Sequence, residues 1–255
     1  MEFTGERMVP GQAPLMLEMA HRARYQFAEG RCQGKSVLDF GCGAGYGSQM
    51  LSRLASKVLG IDISREAVEF AQNNYQGLNL SYSTGDINSL LSRADRFEVA
   101  VCFEVIEHLE EPGRFLSSLA SVMTDSGQLV ISTPNGKDEQ NPYHHHGWDA
   151  EGFSAFLSSD FKDIKLYGQG ASQEILKYRA DQLKALEQAG RQAESIKRKN
   201  PLTKLVPPWL RKTIYAWLVE RKLPREKRWN IEDFPVVEGM ENGEIIIAVC
   251  SKKQH

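Results

Sequence analysis

Three groups of residues in this 255-residue chain could do chemistry. The first is VLDFGCGAGYG, Val37–Gly47, where an apolar run meets Gly41, Gly43 and Gly45, with Asp39 two residues before the first glycine. Glycines at a strand-to-helix turn bring backbone N–H groups close to a ligand, although they can also make a plain tight turn. The spacing is GxGxG, not the GxGxxG of dinucleotide sites. The second group is acidic: Asp62 in GIDIS and Asp86 in TGDIN, each closing a predicted strand. A carboxylate at such an edge can accept from both hydroxyls of a ribose or meet an adenine amine, or it can merely cap the next helix. The third group joins Glu104, Glu107 and His108, in FEVIEH, to His144, His145 and His146, in YHHHGWD. Two carboxylates and imidazoles make a mixed oxygen and nitrogen set suited to Mg²⁺ or Mn²⁺. Without a metal, His108 could act as a general base while Glu104 contacts a cofactor or simply packs.

The elements that must position these residues follow from periodicity. Strands are predicted at Ser36–Phe40, Val58–Ile63, Leu80–Ser83, Phe97–Phe103, Gln128–Thr133, Asp163–Tyr167 and Glu244–Cys250. Helical patterns lie between them, such as Ser64–Tyr75 and Pro112–Met123, the latter with proline in its first turn. Alternation of this kind implies an α/β fold with a mostly parallel sheet and helices on both faces. Val99–Cys102 is a continuous apolar run, as expected of a strand buried on both sides. The alternation stops near Gly170. Gln173–Lys199 reads as one long helix, and a second helix is predicted after Pro207 and Pro208. The expected organisation is an N-terminal helical cap (1–35), a core (36–170), a helical insertion (171–242) and a last strand of the core sheet (243–255).

Composition bounds the functions available. Apolar residues are 41% and charged residues 25%, and the net charge of −2 argues against a general nucleic-acid binder. The four cysteines are scattered without a CxxC pair, which fits a reducing, cytoplasmic setting better than a disulfide scaffold. The first residues lack the apolar core of a signal peptide, and no run is long enough for a transmembrane helix. Charge is uneven, however. Lys197–Arg228 holds eleven Lys or Arg against two Glu, with Trp209, Tyr215 and Trp217 interleaved. That pattern suits either peripheral contact with the inner face of a membrane or a packed helical hairpin with a solvated basic face.

Ser36–Pro134 resembles the class I S-adenosylmethionine-dependent methyltransferases, with the glycine loop, the acidic end of the second strand and the GD after the third strand in order. The resemblance implies a Rossmann-like, seven-stranded, mostly parallel sheet whose last strand is antiparallel. It implies that Gly41, Gly43 and Gly45 approach the methionine part of the cofactor and that Asp39 positions its amino group. Asp62, with Ile63 beside it, would hold the ribose, Asp86 with Ile87 the adenine, and Phe103 and Glu104 would also line the cofactor site. ExxEH resembles the divalent-metal site of small-RNA 2′-O-methyltransferases and of some ubiquinone-pathway O-methyltransferases. Carried over, it implies a metal on Glu104, Glu107 and His108, with His144 as fourth ligand and His145 and His146 as register alternatives. The chain departs from the RNA enzymes in lacking an evident RNA-binding module. TGERMVP (Thr4–Pro10), STPN (132–135) and the tail after Gln169 resemble methyltransferases found among glycan and lipopolysaccharide biosynthesis enzymes. The implied activity is methyl transfer to a sugar or glycan hydroxyl, with Glu104, Glu107 and His108 as catalytic residues. Two alternatives are an O-methyltransferase of a small aromatic or quinone-pathway diol, and a cofactor-binding partner subunit without chemistry of its own. The sequence leaves room for an oligomer.

Overall fold

A computed structural model describes residues 8–136, 141–199, 228–239 and 243–254. It divides the chain into two compact units, one formed by Met1–Gly170 with Asn230–His255 and the other by Ala171–Trp229.

The first unit is a single sheet covered by helices. Its strands are β1 (Ser36–Phe40), β2 (Lys57–Asp62), β3 (Leu80–Thr84), β4 (Phe97–Phe103), β5 (Met123–Pro134), β6 (Phe161–Gln169), β7 (Val236–Glu238) and β8 (Ile245–Lys252). They lie in the order β3-β2-β1-β4-β5-β8-β6-β7. The neighbours from β3 to β5 pair in parallel, whereas β8 runs antiparallel between β5 and β6. The expected seven strands are therefore eight. The additional strand, β7, pairs antiparallel with β6 and lies inside the stretch expected as helical insertion. Its three residues are too short a run to display an alternating pattern in sequence.

Side-chain alternation builds a core on each face of the sheet. Leu38, Leu59, Ala100, Leu129 and Ile246 point to one face, where they meet Phe115 and Leu116 of α5 (Pro112–Ser121) and Phe153 of α6 (Ala150–Leu157). Val37, Val58, Val99, Val130 and Ile247 point to the other, against Tyr25 and Ala28 of α1 (Leu15–Glu29) and Met50 and Leu51 of α2 (Tyr46–Ser52). Two further helices, α3 (Arg65–Asn74) and α4 (Ile87–Leu91), follow β2 and β3. Burying one such leucine or valine contributes roughly 1.5–3 kcal/mol. The carboxyl ends of the parallel strands are thereby fixed along one edge, where loops can carry function.

In the second unit, α7 spans Gln173–Lys199, and Tyr178 packs edge-on against Trp229 with ring centroids 5.1 Å apart. Most of Lys197–Arg228, including Trp209, Tyr215, Trp217 and the helix expected after Pro207 and Pro208, lies outside the described residues. Among the described residues, no helix is long and apolar enough to cross a membrane.

Candidate functional site

The glycine loop leaves β1 at Phe40. Gly41 sits at φ +76°, and a Cβ there would come within 2.3 Å of Val105 Cγ2, so only glycine fits. Gly41 and Cys42 donate their N–H groups to the carbonyl of Ile61 (2.8 and 2.9 Å), and Gly45, at φ +86°, begins α2. Asp62 ties the loop down: Gly43 N–H donates to Oδ2 (2.9 Å) and Ser64 N–H to Oδ1 (2.8 Å). Asp39 lies beneath the loop, fully buried, accepting from Ser48 Oγ (2.6 Å) and the Tyr25 hydroxyl (3.2 Å). Burial pushes its carboxyl up to about 7, although both hydroxyl donors oppose that rise.

A cavity of about 740 Å³ opens above this loop. Gly41, Gly43, Asp62, Ile63, Asp86, Ile87, Phe103 and Glu104 all line it. Asp39 and Gly45, expected at the same ligand, are not among the lining residues: the first faces its two hydroxyl donors, and the carbonyl of the second accepts from Tyr82 (3.0 Å). Asp86 Oδ1 caps α4 by accepting from Ser89 N–H (3.1 Å), and the Asn88 side chain holds its carboxyl below the usual range. Asp86 therefore has the capping role as well as a place on the wall. Ile63 is 79% exposed, an apolar face turned into the opening.

The same cavity reaches His108 and His145. Beyond β4, Glu104 takes φ +53°, and the Ser132 hydroxyl donates to its Oε1 (2.6 Å). Ile106–His108 form one 3-10 turn, which places Glu107 inside the protein at 1% exposure with no hydrogen-bonding partner for either carboxylate oxygen. Burial, then the charge of Glu104, pushes the Glu107 carboxyl up to about 9. Thr133 stands near enough to temper this, yet its Oγ1 completes no hydrogen bond. His108 Nδ1 faces the carbonyl of Tyr143 (3.0 Å), an acceptor, so Nδ1 carries the proton and Nε2 is turned toward Glu107 Oε1 at 4.0 Å. The rings of His108 and His144 lie 4.8 Å apart, and Asn141 Nδ2 donates to His144 Nε2 (3.0 Å).

Glu107, His108 and His144 each bring one ligand atom within 4.8 Å of the others. Three of the four residues expected at a metal thus converge, and Glu104 does not. Its left-handed backbone and its bond to Ser132 carry the carboxylate toward the cavity instead. The register alternatives also separate: His145 lines the cavity, while His146 stacks on Trp148 (5.5 Å, 21°).

Sequence reasoning missed the contribution of α1. His21 and Tyr25 of α1 line the cavity, together with Tyr46 and with Met8, which precedes the helix. Tyr25 packs edge-on to Tyr46 (5.5 Å) and Phe103 (5.1 Å) while its hydroxyl reaches Asp39. Gly47 is needed beneath it, since a Cβ would lie 2.0 Å from the ring. The available signal was the pair His21 and Tyr25, one helical turn apart within the expected N-terminal helical cap.

A family model described as "Methyltransferase domain" matches residues 32–195. A protein of Mycolicibacterium smegmatis named "Probable S-adenosylmethionine-dependent methyltransferase" is 32% identical over 165 residues, covering 62% of this chain and 63% of its own length. A ubiquinone biosynthesis O-methyltransferase of Coxiella burnetii is 36% identical over 124 residues, 48% of this chain and 53% of that protein. The matched stretch thus spans less than two thirds of these curated relatives. Among solved structures, an S-adenosylmethionine-dependent methyltransferase from Archaeoglobus fulgidus superposes with a TM-score of 0.56 at 20% identity, covering 94% of this chain and 95% of that one. The N-methyltransferase NodS of Bradyrhizobium japonicum, solved with S-adenosyl-L-homocysteine, gives 0.52 at 20% identity over 64% of this chain and 83% of its own. These two likenesses concern the fold.

Proposed function

Since the chain belongs to the methyltransferase-domain family, we propose that it is an S-adenosylmethionine-dependent O-methyltransferase acting on a sugar or glycan-end hydroxyl with the help of a divalent cation. One observation carries the reading: a single cavity is lined by the glycine loop, Asp62 and His108 together. The sulfonium cofactor supplies an electrophilic methyl carbon. Gly41 and Gly43 let the backbone approach its amino-acid part. Each Asp62 oxygen accepts one backbone N–H, from Gly43 and from Ser64, which fixes the carboxylate on the cavity wall where a ribose hydroxyl would meet it. Ile63 and Ile87 offer apolar surface to the adenine, and Phe103 and Glu104 border the reacting end. Holding donor and acceptor in line removes much of the entropic barrier to a displacement.

The chemistry of Glu107, His108 and His144 fits Mg²⁺ or Mn²⁺. A buried carboxylate without a hydrogen-bonding partner beside two imidazoles is what a hard or borderline cation would satisfy. When bound, the cation would lower the pKa of the acceptor hydroxyl and fix its direction. His108 has its ring oriented by the Tyr143 carbonyl, so Nε2 is ready to ligate or, without a cation, to take the acceptor proton. The ubiquinone-pathway relative favours a second reading, in which the acceptor is a small aromatic diol. The basic segment 197–228 is proposed as a peripheral contact with anionic membrane carrying a lipid-linked acceptor.

The test is product mass spectrometry on nucleotide sugars, lipid-linked glycans and catechols, with EDTA and with added Mg²⁺ or Mn²⁺. A methylated sugar whose formation stops in EDTA and returns with the cation is expected. Full activity in chelator would remove the cation from the mechanism, and methylation of catechols alone would shift the reading to the second acceptor class.

A further inference from the structure

The cavity wall is one-sided in charge. Among the described residues it carries five carboxylates, Asp62, Asp86, Glu104, Glu110 and Glu111, against one guanidinium, Arg114, which pairs with Glu111 at 3.4 Å. A cleft lined by one sign of charge favours a ligand of the other. Four of the five carboxylates are accounted for. Asp62 ties down the loop, Asp86 caps α4, and Glu110 and Glu111 are exposed just before α5, where salt screens them.

Glu104 is left, half-buried and set against the glycine loop. Strands β1 and β4 pair with Phe40 beside Cys102, so the chain leaving β4 at Glu104 passes the chain leaving β1 at Gly41. The next residue, Val105, is the one that a Cβ on Gly41 would strike. Ser132, fully buried on β5, holds Glu104 at both ends: its hydroxyl donates to Oε1 (2.6 Å) and accepts from the Glu104 N–H (3.2 Å). Backbone at φ +53° is strained for any residue with a side chain and persists only where its surroundings over-determine it, most often where a ligand is gripped. Among the described residues, no Lys or Arg pairs with Glu104 and no donor is bonded to its Oε2.

We propose that Glu104 is the counter-charge of the cofactor's sulfonium, selecting the charged methyl donor over its neutral thioether product. The inference rests on the cofactor reading above, which gives the ribose to Asp62 and the amino-acid part to Gly41 and Gly43. The sulfur that joins them belongs between the two, at the point of the loop that Glu104 borders. In the transfer the carbon–sulfur bond breaks and leaves its electron pair on sulfur. A lone pair of the acceptor oxygen makes the new carbon–oxygen bond, and the hydroxyl proton passes to His108 or to water. The positive charge facing Glu104 is then gone while the carboxylate stays, so the product lacks the attraction that held the donor. Ser132 is a positioning residue, keeping the carboxylate turned to the cavity.

The test uses the full chain in EDTA, at low salt, and calorimetry with three probes. These are S-adenosylmethionine, S-adenosylhomocysteine and sinefungin, in which an amine-bearing carbon replaces the methylated sulfur. In the unaltered protein S-adenosylmethionine should bind about tenfold more tightly than S-adenosylhomocysteine. Sinefungin, whose ammonium also donates a hydrogen bond, should gain up to about a hundredfold. Glu104→Gln should bring the three within about threefold of one another by weakening the two cations, with S-adenosylhomocysteine within about twofold of its parental value. Ser132→Ala should shift the same ratio in part, whereas a merely structural role would weaken all three alike. The comparison of ligands on the unaltered chain needs no variant to fold. Equal binding of all three by the unaltered protein would overturn the counter-charge while leaving the cofactor reading intact, and so would a Glu104→Gln variant that weakens all three alike. Binding by none of the three would instead remove the cofactor reading itself, and the role of Glu104 with it.

Discussion

Replacing Glu107 with Gln should stabilise the cation-free protein, and the effect should grow with pH. The carboxyl is 1% exposed with neither oxygen hydrogen-bonded, and burial with the charge of Glu104 raises it from an ordinary 4.5 to about 9. Between those values the folded chain holds a proton that the unfolded chain has released, so stability falls as pH rises through that window. At pH 7.5 the gap from the ordinary value corresponds to about 4 kcal/mol; relaxation around the site reduces this to about 2–4 kcal/mol. Gln is neutral at every pH and nearly isosteric, and the Thr133 hydroxyl beside it lacks a partner. In EDTA at pH 7.5 the Glu107→Gln variant should melt roughly 5–15 °C above the parent chain, at about 2–4 °C per kcal/mol. Near pH 5 the two should nearly coincide. Added Mn²⁺ should raise the melting temperature of the parent and leave the variant unmoved, because a ligand that binds only the folded state stabilises it. Scanning calorimetry from pH 5 to 8.5, with and without Mn²⁺, gives all these values. A variant that melts at or below the parent throughout, with a gap independent of pH, would refute the reasoning.

Gly47→Ala should cost the fold about 1–3 kcal/mol, since the new methyl would overlap the Tyr25 ring and α1 must shift; chemical denaturation together with S-adenosylhomocysteine affinity would register both losses, and an unchanged midpoint would count against the packing described. If segment 197–228 meets anionic lipid, flotation with phosphatidylserine vesicles should retain the protein at low salt and release it at high salt, whereas equal recovery with neutral vesicles would leave the packed-hairpin alternative.

The parts of the fold that were legible in sequence are those in which one physical requirement repeats. Strands β1 and β4 are mostly apolar because both their faces are covered, and their predicted limits coincide with those of the structure. At β5 the requirement lapses: the helical pattern in sequence runs to Met123 and the strand pattern starts at Gln128, yet the strand begins at Met123, which is held by burial and by pairing with Phe97. The site divides along the same line. Gly41 and Asp62 announce themselves because a tight loop and its tether need those residue types. The separation of Glu104 from Glu107 was illegible, because spacing in sequence carries no word of a backbone turned left-handed at one residue. His21 and Tyr25 sit in an ordinary amphipathic helix, and only the third dimension sets them against Tyr46 and Asp39 at the glycine loop.

The place of β8 between β5 and β6 has a consequence for how the protein is made. When β5 leaves the ribosome, its outer edge cannot pair with β6, because the strand that belongs between them has yet to be translated. About 110 residues separate Pro134 from Ile245, roughly 5–22 s of synthesis at bacterial and eukaryotic rates. Through that interval the outer edge of β5 stands open, joined after Gln169 by an edge of β6, and the apolar faces that Ile246, Ile247 and Val249 will later meet are uncovered. Open edges of this kind invite pairing with other chains. The nascent protein therefore passes its most aggregation-prone moment with the glycine loop already synthesised, and closes its sheet only when the last strand threads into the gap.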